Sequence, residues 1–303
     1  MAEVIYSLRI PSVHPANPAN IERFVVRAEE LGFHGIWAGD HVFYGVDVLQ
    51  PLHLLTWVAA KTSRVRLGQA VMLSAYLNPV LLAKAASTID VLSGGRLSLG
   101  MAIGGTEAEF KSIGVPMNQR VGRLLESIEI MRRLWREDGV EFMGRYNEIE
   151  GGRINPKPVQ PGGIPIYMGA FGDVMLKRIA RHADGWVGGS QAIDSFLAGV
   201  TTLRGYASNS GRDPDTLAIA KLQNVSIGAT REAAKLQGEA HWRAYYNPNY
   251  DLDNATIYGT PDECREQFKV FEAIDHPRIE LAMEPAGLDI EQLEALASIT
   301  TQA

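Results

Sequence analysis

An acid and an imidazole stand side by side at Asp40-His41, one glycine after the apolar run Gly35-Ile36-Trp37-Ala38. A histidine titrates near neutrality and can give or take a proton, while the adjacent carboxylate can fix its tautomer or hold neighbouring backbone. The plainer alternative is an Asp capping a turn beside a His satisfied by a carbonyl, and the residues alone leave both open. Gly104, Gly105 and Thr106 follow the run Leu99 to Ile103, and Gly169-Ala170-Phe171-Gly172-Asp173 follows Ile164 to Met168. Glycines in such places let a flat ligand or a phosphate approach the backbone, and a glycine loop opening a helix adds the positive end of its dipole. They can equally just make a turn. Asp173 opposes a phosphate if it faces inward, or serves as the N-cap with its carboxylate on the first-turn N–H groups. Lys221 offers a Schiff-base amine if desolvated, or an outward stem snorkelling between helices. No His-x-His follows the first strand, and no metal centre is expected.

Positioning these groups falls to short β-branched runs that alternate with segments of helical periodicity, the βαβα rhythm of a parallel sheet. Eight strands are predicted: Val4 to Ile10, Gly35 to Ala38, Val65 to Met72, Arg96 to Ile103, Pro165 to Gly169, Gly185 to Gly188, Leu217 to Ile227 and Arg278 to Met283. Between them, Ile21, Phe24, Val25, Ala28 and Leu31 fall on one helical stripe, as do Leu124, Leu125, Ile128, Met131, Leu134 and Trp135. Asn78-Pro79 and Thr260-Pro261-Asp262-Glu263 read as helix starts, the second a capping box. Pro11 to Pro15 replaces the glycine loop that an open dinucleotide-binding sheet carries after its first strand, so the expected fold is α/β, a closed (β/α)8 TIM barrel. A single domain over residues 1–303 is expected. Gly- and Pro-rich excursions are expected at 104–118, after the fourth strand, and at 138–164, before the fifth.

The chain has 303 residues, 46% of them hydrophobic and 21% charged, as in ordinary globular proteins. A formal net charge of −6 without a long basic run points away from nucleic acid and anionic membranes and toward a small molecule. The one cysteine, Cys264, has no internal partner and reads as a thiol on a helix. The opening MAEVIYSLRIP has neither the charge nor the apolar stretch of a signal peptide, and a cytoplasmic location is expected.

Five segments in order resemble the bacterial luciferase-like superfamily of flavin-dependent oxidoreductases, which includes FMN monooxygenases and enzymes of the deazaflavin coenzyme F-420. They are AEELGFHGIWAGDHV (28–42), VRLGQAVMLSAYLNPVLLAKAASTIDVLSGGRLSLG (65–100), EFKSIGVPMNQRVGRLLESIEIMRRLW (109–135), INPKPVQPGGIPIYMG (154–169) and ARHADGW (180–186). The resemblance implies a barrel with the tricyclic ring in its mouth and Asp40 and His41 beside the reactive edge. It implies a cis peptide at Ala70-Val71 behind the ring, and a ribityl phosphate held around Gly104, Gly105 and Thr106 and around Gly169, Ala170 and Gly172. A homodimer is implied as well. Three departures stand out: Ala102 takes the middle place of a Gly-x-Gly-x-Gly motif, Gly45 stands where the sugar-phosphate dehydrogenase branch has Trp, and Glu107 lies two residues late for that branch's Glu.

The first expected function is hydride transfer between coenzyme F-420 and a small organic substrate, with His41 assisting proton transfer. The second is an FMN-dependent monooxygenase fed by a separate flavin reductase. A flavin-binding barrel without turnover and a Schiff-base aldolase through Lys221 are the readings from other classes. Trp37, Phe43, Tyr44, Phe171 and Trp186 offer an apolar lining near the cofactor, or plain core.

Overall fold

The structure, a computed structural model, describes residues 1–301. Its central element is the closed barrel expected from the sequence. Strands Glu3–Arg9, Gly35–Ala38, Arg66–Gln69, Leu97–Ala102, Ile166–Gly169, Gly185–Gly188, Ala218–Ile227 and Arg278–Pro285 each pair in parallel with the next. The eighth returns to the first, with Glu3 opposite Arg278 and Leu8 opposite Met283.

The helices start where their capping residues stand. Asn78 Oδ1 accepts the N–H groups of Val80 and Leu81 ahead of helix Pro79–Ser93, and both bonds of the Thr260–Glu263 capping box open helix Pro261–Glu272. Helix Pro18–Glu30 buries Ile21, Phe24, Val25 and Ala28 against the barrel, and Arg120–Arg136 buries Leu124, Ile128, Met131, Leu134 and Trp135. No helix among the described residues is long and apolar enough to cross a membrane.

Three elements depart from the predicted plan. The third strand is not continuous to Met72: it stops at Gln69, the Ala70-Val71 peptide is cis, and Met72–Leu73 resumes pairing against Met101 and Ala102 of the fourth strand. The 138–164 excursion contains an antiparallel hairpin, Val140–Met143 with Glu148–Gly152. Residues between the seventh and eighth strands form helix Arg231–Tyr245, a turn of helix at Leu252–Ala255 and a further strand, Thr256–Gly259. That strand pairs in parallel with Asn224 to Ile227, the end of a ten-residue seventh strand. The backbone groups of this overrun need partners, and the added strand supplies them.

Strand alternation decides what enters the lumen. Ser7 and Arg9 on the first strand share a parity, as do Glu280, Ala282 and Glu284 on the eighth. At mid-height Glu280 Oε1 accepts from Ser7 Oγ at 2.6 Å and from Trp37 Nε1 at 2.7 Å. The Trp37 ring meets Tyr167 edge-on with centroids 5.9 Å apart, and Val187, Ala220 and Ala282 fill in around them. This belt separates the C-terminal half of the lumen from the N-terminal end, where Glu280 and Tyr167 line a cavity together with Glu3, His276 and Arg278.

Candidate functional site

One wall of the mouth is built by missing side chains. The Val71 Cγ1 atom lies only 2.5 Å from where a Cβ on Gly169 would be and 3.2 Å from one on Gly100, whose Cβ would also sit 2.0 Å from the Gln69 carbonyl oxygen. Both glycines are therefore demanded by the close seating of the Ala70-Val71 segment. Leu73 packs in the same way over Gly104, 2.9 Å from its absent Cβ, and Gly105 turns the chain with φ 97°. Ala70, Val71, Gly104 and Gly169 are thus brought onto one contiguous surface.

Thr106 is the N-cap of helix Glu107–Ile113. Its Oγ accepts the Glu109 N–H, and its own N–H donates to Glu109 Oε2 at 2.6 Å. The other Glu109 oxygen accepts from Val42 N at 2.9 Å and Phe43 N at 3.1 Å, gripping the loop that carries His41. Burial raises the pKa of this carboxyl, but the N–H groups of Thr106, Phe43 and Val42 outweigh it and hold it below the usual range. The Thr-x-x-Glu spacing from Thr106, the same signal as at Thr260, marks Glu109; Glu107 is the neighbour that sequence comparison singles out.

Of the two roles left open for Asp40, the structure shows the grip on backbone: Oδ2 accepts the Leu73 N–H at 2.9 Å, tying the second strand's end to the segment after the cis peptide. Burial raises the Asp40 pKa, the Leu73 N–H opposes that, and the Glu109 charge adds to it. His41 stacks on Tyr44 with centroids 3.9 Å apart at 12°, and turns an edge toward Tyr245 at 6.4 Å. Burial lowers its pKa, Glu109 pulls it up and Arg9 pushes it down, with a net fall that leaves the ring neutral at pH 7.

The second glycine loop leads into helix Asp173–His182. Gly172 is its N-cap, with φ 81° and no capping side chain, so no side-chain oxygen takes the first-turn N–H groups, of which that of Met175 donates to the Gly172 carbonyl at 3.1 Å. Asp173 is not the cap: its carboxylate accepts from the Tyr206 hydroxyl. The Ala170 carbonyl is held by Trp186 Nε1 at 3.0 Å, which fixes the loop from behind. Trp186 itself packs on Phe196 as core, Trp37 belongs to the lumen belt, and Phe43 and Phe171 are exposed at the rim.

Lys221 points out of the lumen. Its Nζ reaches the carbonyls of Leu222 at 3.0 Å and Gln191 at 3.2 Å and lies over the Phe196 ring, and burial pushes its pKa down to about 7. The stem points outward as expected, but its head does not reach solvent: it is buried on carbonyls of the seventh strand and of the loop after the sixth. Cys264 is a buried helical thiol.

The largest group that sequence reasoning missed stands opposite the glycine wall. Arg9 and Glu284, 3% and 1% exposed, form an ion pair at the floor of the mouth. Arg9 Nη2 donates to Tyr245 Oη at 2.8 Å, and His241 Nε2 lies 3.5 Å from Glu284 Oε1. Tyr245 and His241 come from helix Arg231–Tyr245, whose end lies over the mouth, and Tyr44, Tyr246 and Tyr250 extend the aromatic cover. Arg9 and Tyr245 are 236 residues apart, and nothing local in either stretch signals the contact.

Residues 5–275 match the family model described as luciferase-like monooxygenase. The F-420-dependent glucose-6-phosphate dehydrogenase of Amycolatopsis mediterranei is 34% identical over 184 residues, covering 58% of this chain and 55% of that protein. The 5,10-methylenetetrahydromethanopterin reductase of Archaeoglobus fulgidus is 30% identical over 215 residues, 71% of this chain and 62% of the reductase. The chain thus spans somewhat more than half the length of these curated relatives. Among solved structures, monooxygenase RslO1 from Streptomyces bottropensis superposes with a TM-score of 0.84 at 22% identity, covering 98% of both chains. An F-420-dependent secondary alcohol dehydrogenase does so at 0.83 and 17%, also over 98% of both, and these two likenesses establish the shared fold. By the match over residues 5–275, the chain belongs to the luciferase-like monooxygenase family.

Proposed function

We propose that this chain is an oxidoreductase that holds the deazaflavin coenzyme F-420 in the barrel mouth and moves a hydride between it and a small organic substrate. The observation that carries the reading is the wall at Ala70-Val71, backed by Gly100 and Gly169, which offers a smooth surface to a planar ring system. The helix start at Gly172, free of a side-chain cap, fits a phosphate tail. Two relatives, a dehydrogenase named as F-420-dependent and a reductase of a methylenated pterin, favour hydride chemistry.

The deazaflavin, when bound, supplies the hydride donor or acceptor. Ala70 and Val71 would back its ring, Gly104, Gly105 and Thr106 would bound it on the fourth-strand side, and Gly169, Ala170 and Gly172 would receive the phosphate. His41, neutral at pH 7, takes or returns the substrate proton at an imidazole nitrogen. Asp40 acts through backbone, keeping the Val71–Leu73 segment in register with the strand that ends beside His41. The tyrosine cover and the buried floor exclude water from the reacting groups.

The second reading, an FMN-dependent monooxygenase receiving reduced flavin from a separate reductase, is favoured by the description of the matching family. Equilibrium titration of the purified chain with F-420 and with FMN separates the two. Micromolar or tighter F-420 binding with much weaker FMN binding is expected; the reverse order replaces the first reading by the second, and binding of neither overturns both. A homodimer is also proposed: Leu81 and Leu92 on helix Pro79–Ser93 are 71% and 63% exposed, and sedimentation equilibrium at twice the chain mass is the expected result.

A further inference from the structure

The ion pair on the floor of the mouth bears on what the substrate can be. Arg9 is the last residue of the first strand and Glu284 lies at the same height on the adjoining eighth, so strand parity alone delivers both side chains into the lumen. Room for the guanidinium is made by Gly39, whose absent Cβ would lie 2.3 Å from Arg9 Nη2. A guanidinium in a barrel mouth is the ordinary means of holding a phosphate. Here most of it is engaged: Nη1 faces the Glu284 carboxylate and Nη2 donates to Tyr245, while Nε is buried without a hydrogen-bond partner. The groups packed around the pair come from two segments. They are His41 and Tyr44 from the loop after the second strand, and His241, Tyr245 and Tyr246 from the segment after the seventh. Both imidazoles are held neutral, His241 pushed down to about 4 by burial and by Arg9, and burial pushes the tyrosine hydroxyls Tyr44 and Tyr246 up. One positive and one negative charge thus sum to zero on the floor. Polar capacity remains all the same: His241 Nε2 and the Glu284 oxygens are buried without a hydrogen-bond donor or acceptor beyond the pair itself. Such groups fit a ligand hydroxyl or carbonyl and give no net attraction to an anion.

We propose that the mouth takes uncharged, oxygen-bearing substrates and turns away phosphorylated ones, with Glu284 as the residue that decides, because it neutralises Arg9 in advance. The inference rests on the mouth being a substrate site, as proposed above, and it sets the chain apart from relatives whose named substrate is a sugar phosphate.

The test is calorimetric titration of the full-length chain with inorganic phosphate, without cofactor, for the native protein, E284Q and a paired R9M/E284M variant. Any phosphate site at the Gly172 helix start is common to all three and cancels. E284Q is expected to gain a site on the order of tenfold tighter than any in the native chain, since the freed guanidinium offers bidentate donors. The paired variant is expected to match the native protein. It replaces the ion pair by apolar groups of similar volume, an exchange that folded proteins tolerate, so it reports even where E284Q does not fold. Identical isotherms for a folded E284Q and the native chain overturn the proposal, as does loss of native phosphate binding in R9M/E284M. Failure of the cofactor reading shows separately, in the F-420 and FMN titrations.

Discussion

Replacing Glu109 by alanine releases two things at once, and the geometry allows them to be weighed separately. The capping box at Thr106 is lost, a change that costs about 1 kcal/mol in helices generally. The N–H groups of Val42 and Phe43 lose a charged acceptor; both residues are about half exposed, so water replaces part of the bond and the loss is roughly 0.5 to 1 kcal/mol each. The expected total is about 2 to 3 kcal/mol in urea unfolding, or a fall in Tm of roughly 5 °C for a chain of this size. Thr106→Val removes the cap acceptor and leaves the grip on the loop, so it is expected to cost only about 1 kcal/mol. The difference between the variants isolates the loop grip. The pH dependence has a fixed sign. Because Glu109 titrates below its ordinary value in the fold, its contribution is complete above the unfolded value of 4.5 and disappears as pH falls through the lowered folded value. The stability gap between native and Glu109→Ala protein is therefore constant above about pH 5 and narrows on acidification. Turnover is expected to fall on the order of tenfold, since the loop carrying His41 is no longer held. Equal losses for Glu109→Ala and Thr106→Val, with an unchanged acid limb in the rate profile, would refute the reasoning.

Other outcomes follow from single contacts. Gly169→Ala places a methyl 2.5 Å from Val71 Cγ1, and is expected to lower stability by about 1 to 3 kcal/mol and weaken cofactor binding, read by melting and titration. The acid limb of the turnover profile is expected at a pKa below 6.5, because His41 is depressed in the fold; its stability contribution is full above 6.5 and is lost as pH falls through the lowered value. His41→Asn should flatten that limb; a limb that persists there assigns the titration to another group. Cys264, fully buried with its thiol pushed up to about 12, should resist iodoacetamide in the native protein and react on unfolding; fast native alkylation contradicts that packing.

The barrel was legible because its signals are local. Gly35 to Ala38 and Gly185 to Gly188 are short buried runs, and Asn78 and Thr260 cap the helices their positions announce. Boundaries shifted by a residue or two, as at Ala218 and Pro285, where the ends of ladders depend on the neighbouring strand. The break inside Val65 to Met72 is invisible to periodicity, because a cis bond changes the direction of the chain without changing its hydrophobicity. The resemblance at Ala70-Val71 supplied that bend. The hairpin at Val140–Gly152 went unread because its Gly144-Arg145-Tyr146-Asn147 connection lacks the two-residue Asn-Gly or Asp-Gly signal of a tight turn. At the site, Asp40, His41 and the glycines announced themselves by type, whereas Arg9, Glu284, His241 and Tyr245 are joined only by closure of the barrel. A charge at the end of a strand looks the same in sequence whether it meets solvent or a partner brought round by six intervening barrel strands.

The Ser7–Trp37–Glu280 belt has a kinetic consequence. A lumen stoppered at mid-height is a vessel with one opening, so a molecule that enters at the mouth leaves by the same door. Two ligands that share the vessel must then queue: whichever lies deeper is released last, and an excess of the outer one traps the inner. For two ligands bound in that vessel, the order of arrival and departure would be set by three side chains that lie below the residues proposed to handle the chemistry.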